Sequence, residues 1–523
     1  MPFDPARAAL LDIQCAQLAQ EGRFKEALET AYVALSLESP TGVRLFDAAI
    51  LAANTGSVAE ALAYYQQAKS TGLVREDCDR LFAAAHSQYL CSLGYSMEHK
   101  RGVSFGAHLD WYFLHGRPLR AKQKEFSKQP GTEEKIRVGL VFGDLNLASD
   151  LLSVILKYTN QNRFEWYLYF NALLQNKVNI TEYIGQSRFD QNSFDWNLCF
   201  DTALQDKILH LEKYQNRREI LEMSDFEVSN QIRQDNIDIL IDLAGHTEGN
   251  RLRVFCYHPA PIQISFLGYW ETTGISEIDF VLMDSEIAPE GEDSYFIESL
   301  IRFEKSCFFY HVPQIIPPLL EKHEQDTFIF SYFDEVKKIH LRTAIVWGEI
   351  LKSLPESRLH IHSKSLRKSF EKESITGLLK KAGVPLERVV LVEGVPDKQV
   401  LSGYNSVHAV LDSFPFSCEV KTSFDALFME VPIVSLRGNR PLGRRTESLL
   451  KRLGLDELIA DNEQEYFEKA VSLARNFRWR SHLSRGLRAR LLSSPFVDLE
   501  GYTQKFESIL ELVCQSHSES DIY

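Results

Sequence analysis

Four stretches of this 523-residue chain carry side chains that could hold a phosphate or move a proton. Lys338 follows the apolar run TFIFS (327–331), where a predicted strand ends and a helix opens. An ammonium set beside the free N–H groups of a helix start suits an anion such as a phosphate. A second loop, SFPFSCEVKTSFDAL (413–427), follows another apolar run and presents Lys421, Thr422 and Asp425. Earlier in the chain, Gly245, His246 and Thr247 follow IDILIDL (237–243), and GYWETTG (268–274) brings Tyr269, Trp270, Thr272 and Thr273 toward the same place. Histidine changes charge near neutral pH, so His246 is a candidate to polarise a hydroxyl. By residue type Asp144, Asp235 and His246 could each accept a proton, a choice that needs geometry.

Metal and disulfide chemistry draw little support. The eight cysteines are scattered with no C-x-x-C pair among them, which fits a reducing compartment. His360 and His362 alternate onto one face of a predicted strand without a third ligand, and the D-x-D string of Asp77 and Asp79 falls in the helical N-terminal region, so no metal is expected. A formal net charge of −14 disfavours a nucleic-acid partner, although a local basic pocket could still hold one diphosphate. No apolar run of about 18 residues offers a membrane span. The opening MPFDPARAALLDIQCAQ has neither a secretory nor a transit pattern, and a cytoplasmic location is expected.

These side chains need rigid elements to position them. IRVGLVF (136–142), EWYLYF (165–170), IDILIDL (237–243) and IQISF (262–266) read as buried strands of one parallel sheet. TFIFS (327–331), RLHIH (358–362), RVVLV (388–392), HAVLD (408–412) and PIVSL (432–436) read as strands of a second. Between them, HVPQIIPPLLEKHEQD (311–326) has three prolines and neither period, as a connection would. Two Rossmann-like halves facing a cleft is the expected outcome, with ligands at the carboxyl ends of the strands. The stretch 466–513 reads as amphipathic helix packing across that cleft. Near the N-terminus Gly22, Glu26, Ala27, Leu28 and Ala34 recur 34 residues on as Gly56, Glu60, Ala61, Leu62 and Ala68, the tetratricopeptide period.

The run IDILIDLAGHTEGNRLRVFCYHPAPIQISFLGYWETTGISEIDFVLMD (237–284) resembles the signature of glycosyltransferase family 41, which comprises O-GlcNAc transferases, SPINDLY-type enzymes and bacterial relatives. FSYFDEVKKI (330–339), VLDSFPF (410–416), DALFMEVPIVSL (425–436), ESLLKRLGLDELIA (447–460) and SQYLCSLGY (87–95) are similar to other family segments. The resemblance implies an α/β GT-B fold with two Rossmann-like halves, preceded by an all-α tetratricopeptide-like module. It places the repeats and linker in 1–125, an acceptor-side half in 126–318 and a nucleotide-sugar half, closed by C-terminal helices, in 319–523. It also implies transfer of GlcNAc, glucose or a similar sugar from a nucleotide-sugar donor, UDP-linked, to a protein side chain, with inversion and without metal or other cofactor. The helical repeats would serve either as a cap that only supports the rest of the chain or as a partner-binding module that recruits the acceptor protein.

Residue by residue, Lys338 matches the family lysine that contacts the diphosphate, Thr422 and Asp425 match its nucleotide loop, and Arg444 matches an arginine ahead of the SLL motif. Val420 and Lys421 stand where the family has a glycine and a threonine, which either weakens the site or hands the phosphate charge to Lys421. His246 is the second candidate catalytic residue, beside Lys338; Gly245, Tyr269, Trp270, Thr272 and Thr273 would line the acceptor and sugar pocket. The chain departs from the family at Asn146, Leu147 and Ala148, where a histidine is usual after Asp144, at Val400 in place of a second histidine, and at Trp270 and Glu271 in place of proline and glycine. Three readings follow: an active protein glycosyltransferase, a weak or inactive relative serving as a protein-binding scaffold, and a transferase acting on a small molecule or glycan.

Overall fold

Continuous apolar runs bounded by turn residues become parallel strands covered on both faces, because a parallel sheet is crossed by helices on each side. The computed structural model describes residues 4–20, 23–37, 41–54, 58–71, 76–94, 100–120, 135–143, 145–171, 216–367, 369–394 and 397–520. The first sheet contains β1 (Ile136–Phe142), β2 (Phe164–Phe170), β3 (Arg217–Glu219), β4 (Ile239–Asp242), β5 (Ile262–Phe266), β6 (Phe280–Asp284) and β7 (Ser299–Phe303), in the order β3-β2-β1-β4-β5-β6-β7. The second contains β8 (Ile329–Phe333), β9 (Arg358–Ser363), β10 (Val389–Glu393), β11 (Ala409–Leu411), β12 (Ile433–Leu436) and β13 (Ile459–Ala460), in the order β10-β9-β8-β11-β12-β13. Pairing is parallel throughout, with registers such as Gly139 opposite Leu240 and Phe333 opposite His362. The two Rossmann-like halves of the GT-B arrangement are therefore present. β3, β6, β7 and β13 add to the expected strands, and each is five residues or shorter.

One apolar core runs through both halves, and the last helix is the reason. Leu499–Ser520 follows the second sheet but returns to the first, where the Phe506 ring stacks 5.2 Å from Phe266 and 6.2 Å from Trp166. Thr159 Oγ1 donates to Glu507 at 2.5 Å on the same seam. The proline-bearing stretch 311–326 is irregular as expected, tied down where Asn405 Nδ2 donates to the Pro318 carbonyl and Asn405 Oδ1 accepts from Leu320 N–H.

The N-terminal region is helical. Pro5–Gln20 packs on Phe24–Leu37, and Gly42–Asn54 on Val58–Ser70, with Ala27, Ala34, Ala61 and Ala68 buried. Buried alanines let neighbouring helices approach closely, which is what the 34-residue period required. Gly22 and Gly56 lie outside the described residues. Helices Glu76–Leu93 and Arg101–Trp111 then press against the first sheet's loops, and their side chains complete the wall of that half. Among the described residues no helix is long and apolar enough to cross a membrane.

Candidate functional site

A charge cluster at the carboxyl end of the second sheet is built from three loops. Asp334 follows β8, and a short 3-10 turn, Val336–Lys338, carries the lysine back over it. Lys338 therefore closes that turn rather than opening a helix; helix Leu341–Ser353 starts afterwards, capped by His340. Its ammonium donates to Asp334 Oδ1 and Oδ2 at 3.0 and 2.9 Å and to Glu419 Oε1 at 2.5 Å. Glu419 comes from the loop after β11, immediately before helix Val420–Phe428. The third loop, after β12, leads to helix Arg445–Arg452, and Arg445 Nη1 lies 3.4 Å from Glu419 Oε2. Both cations pack on one ring, with Lys338 Nζ 5.0 Å and Arg445 Cζ 4.7 Å from the centre of Phe416. Aromatic faces attract cations, so Phe416 helps hold the pair.

Burial works against the charge on Lys338, but the carboxylates of Glu419 and Asp334 outweigh it and push its pKa above the ordinary lysine value. Burial raises the carboxyl of Asp334 against the pull of Lys338. Desolvation by the surrounding loops opposes ionisation of Glu419, although its side chain is half exposed, and Lys338 and Arg445 hold its carboxyl well below the usual range. The loop between β11 and Glu419 is braced by Asp412, which accepts from Cys418 N–H and from the Ser435 hydroxyl, each at 2.6 Å.

In the first half the equivalent loops close on themselves. Asp242, at the end of β4, accepts from the N–H groups of Ala244 and Gly245 and turns the chain. Gly245 has φ +54°, and a Cβ there would fall 2.1 Å from Tyr269 Cβ, so the turn admits only glycine. His246 is completely buried: its Nε2 contacts the Thr273 carbonyl at 2.9 Å, and its Nδ1 contacts the Ser87 hydroxyl at 2.9 Å. The rings of Trp111, His108 and Tyr269 stand edge-on to it at 5.0 to 5.3 Å. Burial, and secondarily the neighbouring His108, drives its pKa far below the ordinary histidine value.

The sequence profile of glycosyl transferase family 41 matches residues 198–327 and 322–506. The chain belongs to this family. Over 308 residues this family 41 chain is 32% identical to a Petunia hybrida protein and 30% identical to a Solanum lycopersicum protein. Each of those is described as a probable UDP-N-acetylglucosamine–peptide N-acetylglucosaminyltransferase SPINDLY, and the match covers 58% of this chain but 33% of theirs. The chain thus spans about a third of the length of these relatives. A mutant O-GlcNAc transferase of Thermobaculum terrenum superimposes with a TM-score of 0.77 at 25% identity, covering 97% of this chain and 90% of that one.

Against this family 41 frame, the expected site residues divide. Lys338 stands in the cluster. Thr422 is half-buried in the first turn of helix Val420–Phe428, where its carbonyl accepts from Tyr404. Asp425 is buried and turned away, accepting from the Tyr310 hydroxyl at 3.0 Å and from Lys421 Nζ at 2.7 Å. Lys421 is thereby engaged along its own helix. Arg444 corrects an expectation: its guanidinium donates to Glu292 Oε1 at 2.8 Å and to the Ile287 and Gly438 carbonyls, so it locks the two halves together. The adjacent Arg445 is the one in the cluster. Asp334, Phe416, Glu419 and Arg445 were all missed from sequence; the only available signal was the doubled arginine ahead of TESLL.

His246 presents no free ring nitrogen in this conformation, which corrects its expected place facing a hydroxyl. The supposed pocket residues are also turned inward. Tyr269 shares its hydroxyl with His108 at 2.7 Å, Trp270 packs on Phe308, and Thr272 and Thr273 both donate to the buried carboxylate of Glu298. Glu271 is different: it accepts from Ser104 at 2.7 Å and lies 3.6 Å from Arg440 of the other half. Beside it, Arg101, Phe105 and Pro441 help line a cavity of about 20 Å³, room for a water and not for a sugar. Asp235 caps helix Asp225–Gln234 and pairs with Arg218, at the opposite end of β4 from the Gly245 loop. Asp144 lies outside the described residues, as do the side chains of Asn146, Leu147 and Ala148, while Val400 packs partly buried on the core. His362 stacks on Phe333 at 4.2 Å, and no cluster of three metal-ligating side chains occurs among the described residues.

Proposed function

We propose that this chain transfers a sugar from a UDP-linked donor to a protein hydroxyl, with the diphosphate held between Lys338 and Arg445. The observation that carries this reading is the convergence of the loops after β8, β11 and β12 on two cations over one aromatic ring. Open α/β sheets bind ligands at the carboxyl ends of their strands. When the anomeric C–O bond breaks, negative charge grows on the departing diphosphate, and fixed cations in a partly dry site stabilise that charge more than the ground state. Thr422, in the first turn of helix Val420–Phe428, joins this donor site in the proposal on the strength of the family resemblance. The similarity to proteins named as peptide N-acetylglucosaminyltransferases supports a protein acceptor and a GlcNAc-type donor. An inverting course and independence from metal belong to the same proposal and rest on the family resemblance; a cytoplasmic location and recruitment through the helical repeats belong to it too, supported by the scattered cysteines and the 34-residue period.

One observation favours a second reading, a scaffold without transfer: the charge of Lys338 is already matched by Asp334 and Glu419. A thermal-shift series with UDP, GDP, UDP-GlcNAc, UDP-glucose and GDP-fucose separates the two, because a ligand that binds only the native state must stabilise it. Selective stabilisation by one nucleotide, followed by a sugar mass added to a co-incubated protein, supports transfer. No shift at millimolar ligand leaves the scaffold.

A further inference from the structure

We propose that Glu419 gates the donor site: its carboxylate occupies the place of a donor phosphate between Lys338 and Arg445, and the diphosphate enters by displacing it. This rests on the assignment of those two cations to the diphosphate. The carboxylate reaches both of them, 2.5 Å from Lys338 Nζ and 3.4 Å from Arg445 Nη1, as a phosphate oxygen would. With Glu419 in place, two cations face two carboxylates and the cluster has no net charge to offer an anion. With Glu419 swung away, one positive charge is released where the donor needs it.

The two carboxylates are not equivalent, and that decides which of them moves. Asp334 is 4% exposed, holds Lys338 with both oxygens and also accepts from the Glu419 N–H at 2.8 Å, so it is part of the frame. The Glu419 side chain is 55% exposed and caps no N–H of the helix it precedes. Its backbone is anchored to Asp334 while its side chain borders solvent, so rotation about its own bonds clears the site without disturbing the loop. Such a gate lowers apparent affinity by the fraction of molecules in which the site is open.

The test is calorimetric binding of UDP, and separately of inorganic pyrophosphate, to the full chain and to E419Q, E419A, K338M and D334N/K338M. Removing the gate charge is expected to tighten both ligands about tenfold in E419Q and in E419A, the second variant guarding against an effect peculiar to glutamine. The double variant, which leaves no stranded carboxylate, should lose both ligands. Unchanged or weaker binding in E419Q and E419A, with binding lost in D334N/K338M, overturns the gate and makes Glu419 a bystander or a donor contact. Undiminished binding in D334N/K338M overturns the diphosphate assignment itself.

Discussion

The His246 cluster of the first half and the Lys338 cluster of the second are both buried and both polar, yet they solve burial in opposite ways. Around His246 the groups are neutral, join helices of the N-terminal region to first-half loops more than 100 residues away in sequence, and satisfy one another through Ser87, Thr273, His108 and Tyr269. A buried polar network that is fully satisfied rigidifies what it joins. Around Lys338 the groups are ionised, and one of them, Glu419, borders solvent. The neutral network fastens the helical module to the first half; the charged one sets two cations beside a carboxylate that borders solvent. Residue type alone would have assigned catalysis to both.

The largest expected effect comes from unbalancing the charged cluster. K338M leaves Asp334 buried without its cation, and breaking a buried pair in this way costs about 3–5 kcal/mol. Chemical denaturation should show that loss, D334N/K338M should recover most of it, and neither variant should bind UDP. Recovery of binding along with stability would mean that Lys338 is only a structural counter-charge. H246A is expected to cost about 2–4 kcal/mol, from a cavity and two stranded partners. Affinity for UDP, measured below the lowered melting temperature, should stay within twofold of the parent. A folded H246A that had lost transfer but kept UDP binding would return the histidine to catalysis.

Acid should act next, on the buried histidines of both halves, those around His246 among them. Burial lowers the His86 pKa from 6.5 to about 4, and His108 and His246 are shifted in the same direction. The unfolded chain takes up these protons at its ordinary pKa while the native protein resists them. Stability is therefore fully present above about pH 6.5 and falls as the pH drops toward 4. Between pH 6.5 and 5.5 the His86 ring alone contributes a loss of about 1 kcal/mol, to which His108 and His246 add, read as a falling urea midpoint. A flat profile through that window would mean that the rings are protonated in the native state.

Much of the frame was legible in the sequence because its signals are local. Runs such as IRVGLVF and IQISF are apolar throughout, as strands covered on both faces must be, and they became β1 and β5 with the bounds expected. SLIRF was passed over because its residues are mostly half-buried at the sheet edge and Ser299 and Arg302 interrupt the apolar run. Lys338 was legible for the same local reason, as a charge just after a strand. Glu419 and Arg445 were not, since their meaning depends on contacts across 81 and 26 positions that only the turns create. His246 misled because the residues that bury it, Ser87, His108 and Trp111, lie in helices whose own pattern shows only that they pack on something.

Lys421 offers the smallest effect and a clean discrimination between sequence and structure. From sequence it inherits the phosphate charge that a missing glycine and threonine gave up; in the structure its ammonium bonds Asp425 one turn along the same helix and its side chain is 70% exposed. With Lys421 in solvent and Asp425 buried, the pair is worth about 1 kcal/mol or less, and Asp425 also keeps its bond from Tyr310. K421A should therefore shift the melting temperature by little and leave UDP affinity and its dependence on salt unchanged within twofold. A tenfold loss of affinity with a shallower salt dependence would place Lys421 on the diphosphate beside Lys338, and the donor site would extend over the start of helix Val420–Phe428 rather than end at Arg445.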